Sequence, residues 1–489
     1  MMSIVRVDEA GLQPQYKAIS ELRDLFFSIA ASKGRPVTYN LRTYGCQLNE
    51  ADSEKLHGMF ARMGINEALE GEEADIVILN TCAVRENAED RLFGNLGEFK
   101  VSKKKNKDMV IAVCGCMMKV PDNVERIKKS FPYVDLVFDP QQIHNFPTLL
   151  LETVSKSKQN INITDVDYIA DDKFLPVERQ RKFRALVPIM YGCNNFCSFC
   201  IVPYTRGRER SRDFDSVVEE LKSLADQGYK EVMLLGQNVN SYGKGNADGK
   251  TFPDLLRAAA SIKGFSRIRF MSSHPKDISD EVLEIMASEP NIEKHLHLPL
   301  QSGSDRLLKK MNRPYDTAKY MHIVDKFREL VPEGSISTDI IVGFPGETEE
   351  DFLGTMDIVR RAKFDAAFTF QYSIRPGTKA AEMEDQIPHD VVTERFGRLL
   401  KLQNDLVFES NKAMVGKTEE ILIEGVSSTA EDILTGRTKS NHLVNFTVPS
   451  DLRLPDVPLS SYEGRLCEVK LTKAKPYSVE GVMERFIND

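Results

Sequence analysis

The chain has 489 residues, 65 Lys and Arg against 73 Asp and Glu, a formal net charge of −8 and 41% hydrophobic residues. At about 150 residues per domain this length suggests about three domains, and the composition excludes a disordered, collagen-like or disulfide-dense chain. No run of about 18 apolar residues occurs, and the N-terminal MMSIVRVDEA lacks the apolar core of a signal peptide. No membrane partner is therefore expected, and a cytoplasmic, reducing location is. The mild acidity speaks only to solubility and gives no hint of a nucleic-acid partner.

Along the chain, residues 1–35 form an extension in which Leu22, Leu25, Phe26 and Ile29 recur at helical spacing. Strands and helices then alternate over residues 36–152. VTYNLRTYGC, ADIVILNTC and DMVIAVCGC read as strands ending at Cys46, Cys82 and Cys116. Such alternation predicts a parallel, flavodoxin-like α/β sheet, whose functional crevice lies outside the carboxyl ends of the strands. Residues 153–178 are polar and weakly periodic, as expected of a linker.

A second alternating series occupies residues 179–411. Its candidate strands are ALVPIMYGC, KEVMLLGQN, SRIRFMSSH, KHLHLPLQS, SISTDIIVG and DAAFTFQYS, with helical stretches near 214–227, 253–262, 278–287, 317–330 and 349–362. Six β/α units are too few for a closed eightfold barrel, so a partial (β/α)6 barrel is expected. Residues 412–487 carry strands with Gly and Ser turns, predicting a small antiparallel, OB-like β-barrel.

Eight cysteines are present: 46, 82, 114, 116, 193, 197, 200 and 467. In a large reducing-compartment chain, clustered cysteines point to metal or redox chemistry. Cys193, Cys197 and Cys200 follow the first strand of the second series with Cys-x-x-x-Cys-x-x-Cys spacing. Three thiolates so close suit three irons of a [4Fe–4S] cluster and leave the fourth iron open. A structural zinc site would ask for a fourth ligand, and no His or Cys lies close in sequence to supply one. Cys46, Cys82 and Cys116 share a position at strand ends. Cys114 is two residues from Cys116, and in a strand the two would face the same way, so strand logic leaves both open. Cys467 reads as a core residue.

The Cys-x-x-x-Cys-x-x-Cys loop on a partial β/α barrel resembles the radical S-adenosylmethionine (SAM) enzymes. TYGCQLN, NTCAVRENAE and CGCM, with CNNFCSFCIVPYTRGRERSR, LLGQNVNSYG, RIRFMSSHP, HLHLPLQSGS, DIIVGFPGET and FQYSIRPGTKA, resemble the methylthiotransferases of that superfamily, and among them most the tRNA-modifying kind. The match covers about residues 36–489, its last part resembling a TRAM domain, with residues 1–35 outside it and given no role. The resemblance implies one [4Fe–4S] cluster on Cys193, Cys197 and Cys200 and a second, auxiliary one on Cys46, Cys82 and Cys116. The family pattern selects Cys116 over Cys114. It also implies that one SAM methylates a sulfur held at the auxiliary cluster. Another yields a 5′-deoxyadenosyl radical that takes hydrogen from carbon-2 of N(6)-dimethylallyladenosine beside the tRNA anticodon. Within the same chemistry the runner-up substrates are threonylcarbamoyladenosine in tRNA and an aspartate of a ribosomal protein. From another class, a noncatalytic Fe–S RNA-binding or redox protein is the alternative.

Strand-end positions then become SAM candidates: Gly236, Gln237 and Asn238; Gln301, Ser302 and Gly303; Gly343, Phe344 and Pro345; and Phe199 and Val202 around the last ligand. For any single glycine a tight turn explains it equally well. From Glu178 to Arg212 eight basic residues face two acids, a local charge of +6 beside the radical loop. Guanidinium groups suit phosphate, so Arg206, Arg208, Arg210 and Arg212 are expected to meet tRNA, with Arg437, Lys439, Lys473, Lys475 and Tyr477 of the small barrel on the anticodon stem-loop. Further expected partners are a low-potential electron donor of flavodoxin or ferredoxin type and sulfur- or cluster-supply proteins. A monomer is expected.

Overall fold

A computed structural model describes residues 4–84, 86–156, 159–170, 172–428, 430–455 and 457–487. The N-terminal sheet holds six parallel strands in the spatial order Asn66–Glu67, Thr38–Tyr44, Ile76–Thr81, Val110–Gly115, Leu136–Phe138 and Asn160–Asn162. Two apolar clusters sandwich it, one around Leu56, Phe60 and Phe146, the other around Leu92, Leu96 and Ile127. Burial on both faces explains why Ile76–Thr81 is buried along its whole length.

Residues 4–35 are part of this domain. The helix Glu9–Lys33 starts at Asp8, whose carboxylate accepts from the Gly11 amide at 2.9 Å, and stops at the left-handed Gly34. Its Leu12, Ile19, Leu22 and Phe26 enter the cluster of Phe60 and Phe146, whereas Leu25 faces solvent. Ahead of it, Ile4–Val7 pairs in parallel with Asp167–Ala170. The stretch 153–178, expected as a linker, likewise carries ordered structure: the end of the helix Phe146–Lys156, the edge strand Asn160–Asn162 and Asp167–Ala170. Edge strands are held by backbone hydrogen bonds and need no apolar run, so their polar composition hid them.

The central domain is the expected partial barrel. Arg184–Pro188, Glu231–Leu235 and Arg267–Phe270 form one parallel ladder; His295–His297, Ser335–Val342 and Ala366–Gln371 form another. A parallel bridge between Ile268 and Ile292 joins the two. Alternation sends Val187, Val232, Leu234, Ile268, Leu296, Ile336 and Ile340 into the cluster shared with the surrounding helices. All five predicted helices are present, and the long helix His389–Met414 covers the last strand.

The C-terminal strands Thr418–Ser427, Ala430–Arg437, Leu443–Thr447, Val479–Phe486 and Leu466–Ala474 close into a ring in that order, with Cys467 in its core. One departure from the expectation is topological: Leu443–Thr447 and Val479–Phe486 run parallel. Five strands cannot alternate direction all the way round a closed ring, so one parallel pair is unavoidable. The turn after Ala430–Arg437 docks on the floor of the partial barrel. Buried Arg267, at the start of its strand, donates to the carbonyls of Arg437 (2.6 Å) and Thr438 (3.1 Å), and Lys294 N–H to that of Lys439 (2.8 Å). Among the described residues no helix is long and apolar enough to cross a membrane.

Candidate active site

Gly192 turns the chain from the first barrel strand into the Cys193 loop. Its φ is +74°, and a Cβ there would stand 2.1 Å from the Arg208 carbonyl, so only glycine fits. The loop is then pinned from outside. Ser198 N–H donates to Met311 O (2.9 Å), Ala380 N–H to Ser198 O (2.8 Å), and Asn312 Nδ2 to the carbonyls of Asn195 (3.1 Å) and Phe196 (2.9 Å). Buried Arg313 points Nη1 at Cys197 Sγ (3.6 Å), while Nη2 holds Pro299 O (3.0 Å) and Nε holds the Tyr315 hydroxyl (2.6 Å). Burial pushes the Cys193 thiol up to about 11 and that of Cys200 to about 12, each raised further by the neighbouring sulfurs. Three soft sulfur donors on one loop, beside one fixed guanidinium, match a positively charged iron centre that binds thiolate.

The other triad forms where three adjacent strands end. Cys46 caps the helix Gln47–Met63, its carbonyl accepting from Asn49 and Glu50 N–H, and a helix N-terminus favours thiolate. Cys82 follows Thr81 and Cys116 follows Gly115. A hydrogen bond between the Cys46 and Cys82 sulfurs draws the Cys46 thiol down, helped by Arg206, and drives that of Cys82 up. Asn49 Oδ1 lies 3.4 Å from Cys46 Sγ and 4.0 Å from Cys116 Sγ. Its Nδ2 is fixed by Asn80 Oδ1 (3.0 Å) and Thr81 O (3.2 Å). Cys114 sits in the apolar core instead. Gly115 separates the two: at φ +100° it breaks the strand alternation, and a Cβ on it would meet Thr81 O at 2.2 Å. Three convergent sulfurs again fit an iron–sulfur group.

The arginines expected to meet tRNA turn out differently. Arg206 is buried, with Nε 2.8 Å from Cys116 Sγ, Nη1 2.6 Å from Asp52 and Nη2 3.2 Å from Asn49 Oδ1. Arg210 is buried on Gln141 Oε1 (2.7 Å) and Tyr168 O (2.8 Å), and Arg212 on Glu220 (2.7 Å) and Pro188 O (2.8 Å). These three fasten the two domains and the barrel wall, and cannot reach a phosphate. Arg208 alone of the four is exposed, its guanidinium 4.4 Å above the Phe196 ring. In the small barrel, Arg437 and Lys439 lie at the seam with the floor, near Glu424 and Glu420. Lys473 and Lys475 pair with Glu480 at the surface, and Tyr477 is 72% exposed.

Of the SAM candidates, Gln237 and Asn238 carry buried polar atoms open to a ligand. Among the described residues Gln237 Oε1 and Asn238 Oδ1 are buried without a partner, as are Ser273 Oγ and His274 Nε2 just past the next strand. Buried polar atoms without partners mark a ligand or water site, and a SAM methionyl group supplies both donors and acceptors. Asn238 Nδ2 is held by Asp277 at 2.7 Å. Gly236 lies against Met190, and Gln301 sits at the rim with φ +67°. Gly303 and Gly343 are explained by packing: a Cβ would strike Thr355 Cα at 2.5 Å and Val392 at 2.4 Å. Ser302, Phe344 and Pro345 are buried. Phe344 lies edge-on to both Phe199 and Tyr372, so it supports Phe199 from beneath rather than presenting a face of its own. Val202 opens the short helix after Cys200.

Between the triads the last barrel strand is open. Phe368 and Phe370 are half exposed on one face, with Ile374 just beyond, and Val84 stands exposed after Cys82. Arg313, Asn49 and Asp52 escaped the sequence reading; the last two follow Cys46 at positions +3 and +6, a helical spacing that would have flagged them.

The chain matches three family models: the uncharacterized protein family UPF0004 over residues 38–139, the radical SAM superfamily over 187–359 and the TRAM domain over 412–483. Curated relatives named tRNA-2-methylthio-N(6)-dimethylallyladenosine synthase match it over nearly their whole length. That of Acetivibrio thermocellus is 48% identical over 482 residues, 98% of each chain. That of Clostridium botulinum (strain Loch Maree) is 49% identical over 90% of this chain and 96% of its own. That of Thermoanaerobacter sp. (strain X514) is 46% identical over 488 residues, all of each chain, so residues 1–35 fall inside the match. On these relatives the chain belongs to the tRNA-2-methylthio-N(6)-dimethylallyladenosine synthase family of radical SAM enzymes.

Proposed function

We propose that this chain inserts a methylthio group at carbon-2 of N(6)-dimethylallyladenosine in the anticodon loop of tRNA. The observation that carries the reading is two cysteine triads, at the ends of two parallel sheets, joined through the loop that carries one of them. When bound, the four-iron cluster on Cys193, Cys197 and Cys200 supplies with SAM the radical that activates carbon-2, and a second cluster on Cys46, Cys82 and Cys116 supplies the sulfur that another SAM methylates. The chain's own groups do the positioning. Arg313 steadies Cys197, and Gln237, Asn238, Ser273 and His274 offer SAM their unsatisfied polar atoms. Arg208, Lys473 and Tyr477 remain exposed for phosphate and base contacts.

Phe368 and Phe370 favour an adenine with an apolar substituent over the threonylcarbamoyl alternative, whose carboxylate would face Asp339, paired in register with Phe368. The activity requires a low-potential donor of flavodoxin or ferredoxin type and a source of sulfur and clusters, and the proposed reading is of a monomer acting in the cytoplasm, where its tRNA substrate is found. Modified-nucleoside mass spectrometry of a deletion strain tests the function. Loss of 2-methylthio-N(6)-dimethylallyladenosine with accumulation of its precursor is expected, and unchanged levels would overturn it.

A further inference from the structure

Arg206 belongs to the barrel, six residues past Cys200, yet its guanidinium ends in the N-terminal domain. All three of its nitrogens are engaged there: Nε on Cys116 Sγ at 2.8 Å, Nη1 on Asp52 Oδ2 at 2.6 Å and Nη2 on Asn49 Oδ1 at 3.2 Å. Asp52 is itself buried. A buried guanidinium against a carboxylate persists only when nearly every donor is matched, and here the remaining match is a sulfur. Asn49, the third partner, touches Cys46 as well. We infer that Arg206 is a positioning residue of the auxiliary centre. Reaching across from the radical loop, it donates a hydrogen bond to the Cys116 ligand sulfur and so sets the reduction potential of the auxiliary cluster. Hydrogen bonds and positive charge at ligand sulfur stabilise the reduced, more negative state of an iron–sulfur cluster and raise its potential. The sulfur chemistry of one centre is thereby tuned by the loop that holds the other. This rests on the assignment of a cluster to Cys46, Cys82 and Cys116.

The test uses the full chain with Cys193, Cys197 and Cys200 changed to Ala, which isolates the auxiliary centre. Iron per chain and the EPR-monitored midpoint potential are measured after anaerobic reconstitution for this parent, for Arg206→Lys, for Asp52→Asn and for the double change Arg206→Gln with Asp52→Asn, which leaves no unpaired buried charge. About four irons in the parent are expected; a parent without iron overturns the cluster assignment itself. With iron bound, the potential is expected to become more negative in Arg206→Lys than in the parent, since the charge stays but the planar fork is lost. It is also expected to be more negative in the double variant than in Asp52→Asn alone, which serves as its matched control for the lost carboxylate. An unchanged or more positive potential in either comparison overturns the role of Arg206. Should the double variant fail to fold, judged by circular dichroism, the comparison of parent with Arg206→Lys decides alone.

Discussion

Arg375 Nη2 donates to the carbonyl of Val84 at 3.0 Å, so the segment beyond the last barrel strand is tied to the loop that follows Cys82. From the other side, Tyr372 packs edge-on to Phe344 and Phe344 to Phe199, beside Cys200. One short stretch thus spans from one triad to the other. The Arg375 bond is exposed, so its removal costs stability little, about 0.5–1.5 kcal/mol. Arg375→Ala is expected to leave the melting temperature nearly unchanged while raising the 5′-deoxyadenosine released per methylthiolated nucleoside severalfold. An unchanged ratio would mean that the tie has no part in coupling.

Iron content should divide between the triads. The reconstituted chain is expected to hold about eight irons, two four-iron clusters, and the Cys193, Cys197, Cys200 triple Ala variant about half, with SAM cleavage lost. The Cys46, Cys82, Cys116 variant should also hold about half but still cleave SAM without inserting sulfur. Iron assay and chromatographic product analysis check both.

The arginines of the +6 segment should separate into two behaviours. Arg208→Ala is expected to weaken tRNA binding about threefold to tenfold and to lower the salt dependence by about one phosphate contact, with stability unchanged. Arg212→Ala leaves the Pro188 carbonyl without its buried donor, while Glu220 keeps Arg179 (2.7 Å), and should cost about 1–3 kcal/mol in denaturant unfolding. Equal effects on tRNA affinity from both would contradict the burial of Arg212.

Phe368 and Phe370 present exposed apolar surface, which under the proposed function receives the modified base. Each buried methylene is worth about 0.8 kcal/mol, so Phe368→Ser should weaken binding of a dimethylallyl-bearing anticodon stem-loop about tenfold and that of the unmodified stem-loop much less. Fluorescence anisotropy with the two RNAs decides, and parallel losses would remove Phe368 from substrate discrimination.

Gly115 is required by contact as well as by φ. Gly115→Ala would drive a Cβ to 2.2 Å from Thr81 O, displacing the strand end that carries Cys82. Reconstituted chain is expected to lose auxiliary iron selectively, read as about four irons rather than eight; full iron would show that the strand ends can shift apart.

What could be read from the sequence divides along a physical line. The Cys193 loop was legible from its spacing, and the common place of Cys46, Cys82 and Cys116 at strand ends from the alternation of a parallel sheet, although strand logic left Cys114 level with Cys116 and only the family resemblance chose between them. Arg206 was not legible, because its partner Asp52 lies 154 residues away. A charge count over a short segment registers the guanidinium and misses the carboxylate that a fold brings to it. Residues 1–35 were misjudged for a related reason. Their apolar spacing announces a helix but not the surface it covers, and Ile4–Val7 pairs with a strand about 160 residues on. Glycines 303 and 343 stand at the predicted loops, yet their packing against Thr355 and Val392 was beyond any pattern in the chain.

The turn between Arg437 and Leu443 also fixes how the barrel can be filled and emptied. With buried Arg267 holding that turn, and Arg269 bridging Glu231 (2.9 Å) and Glu293 (3.1 Å) just above, the vessel is blind at its lower end. A small molecule held between the strands therefore exchanges through the rim or past the open edge at Ala366–Gln371, and not through the floor.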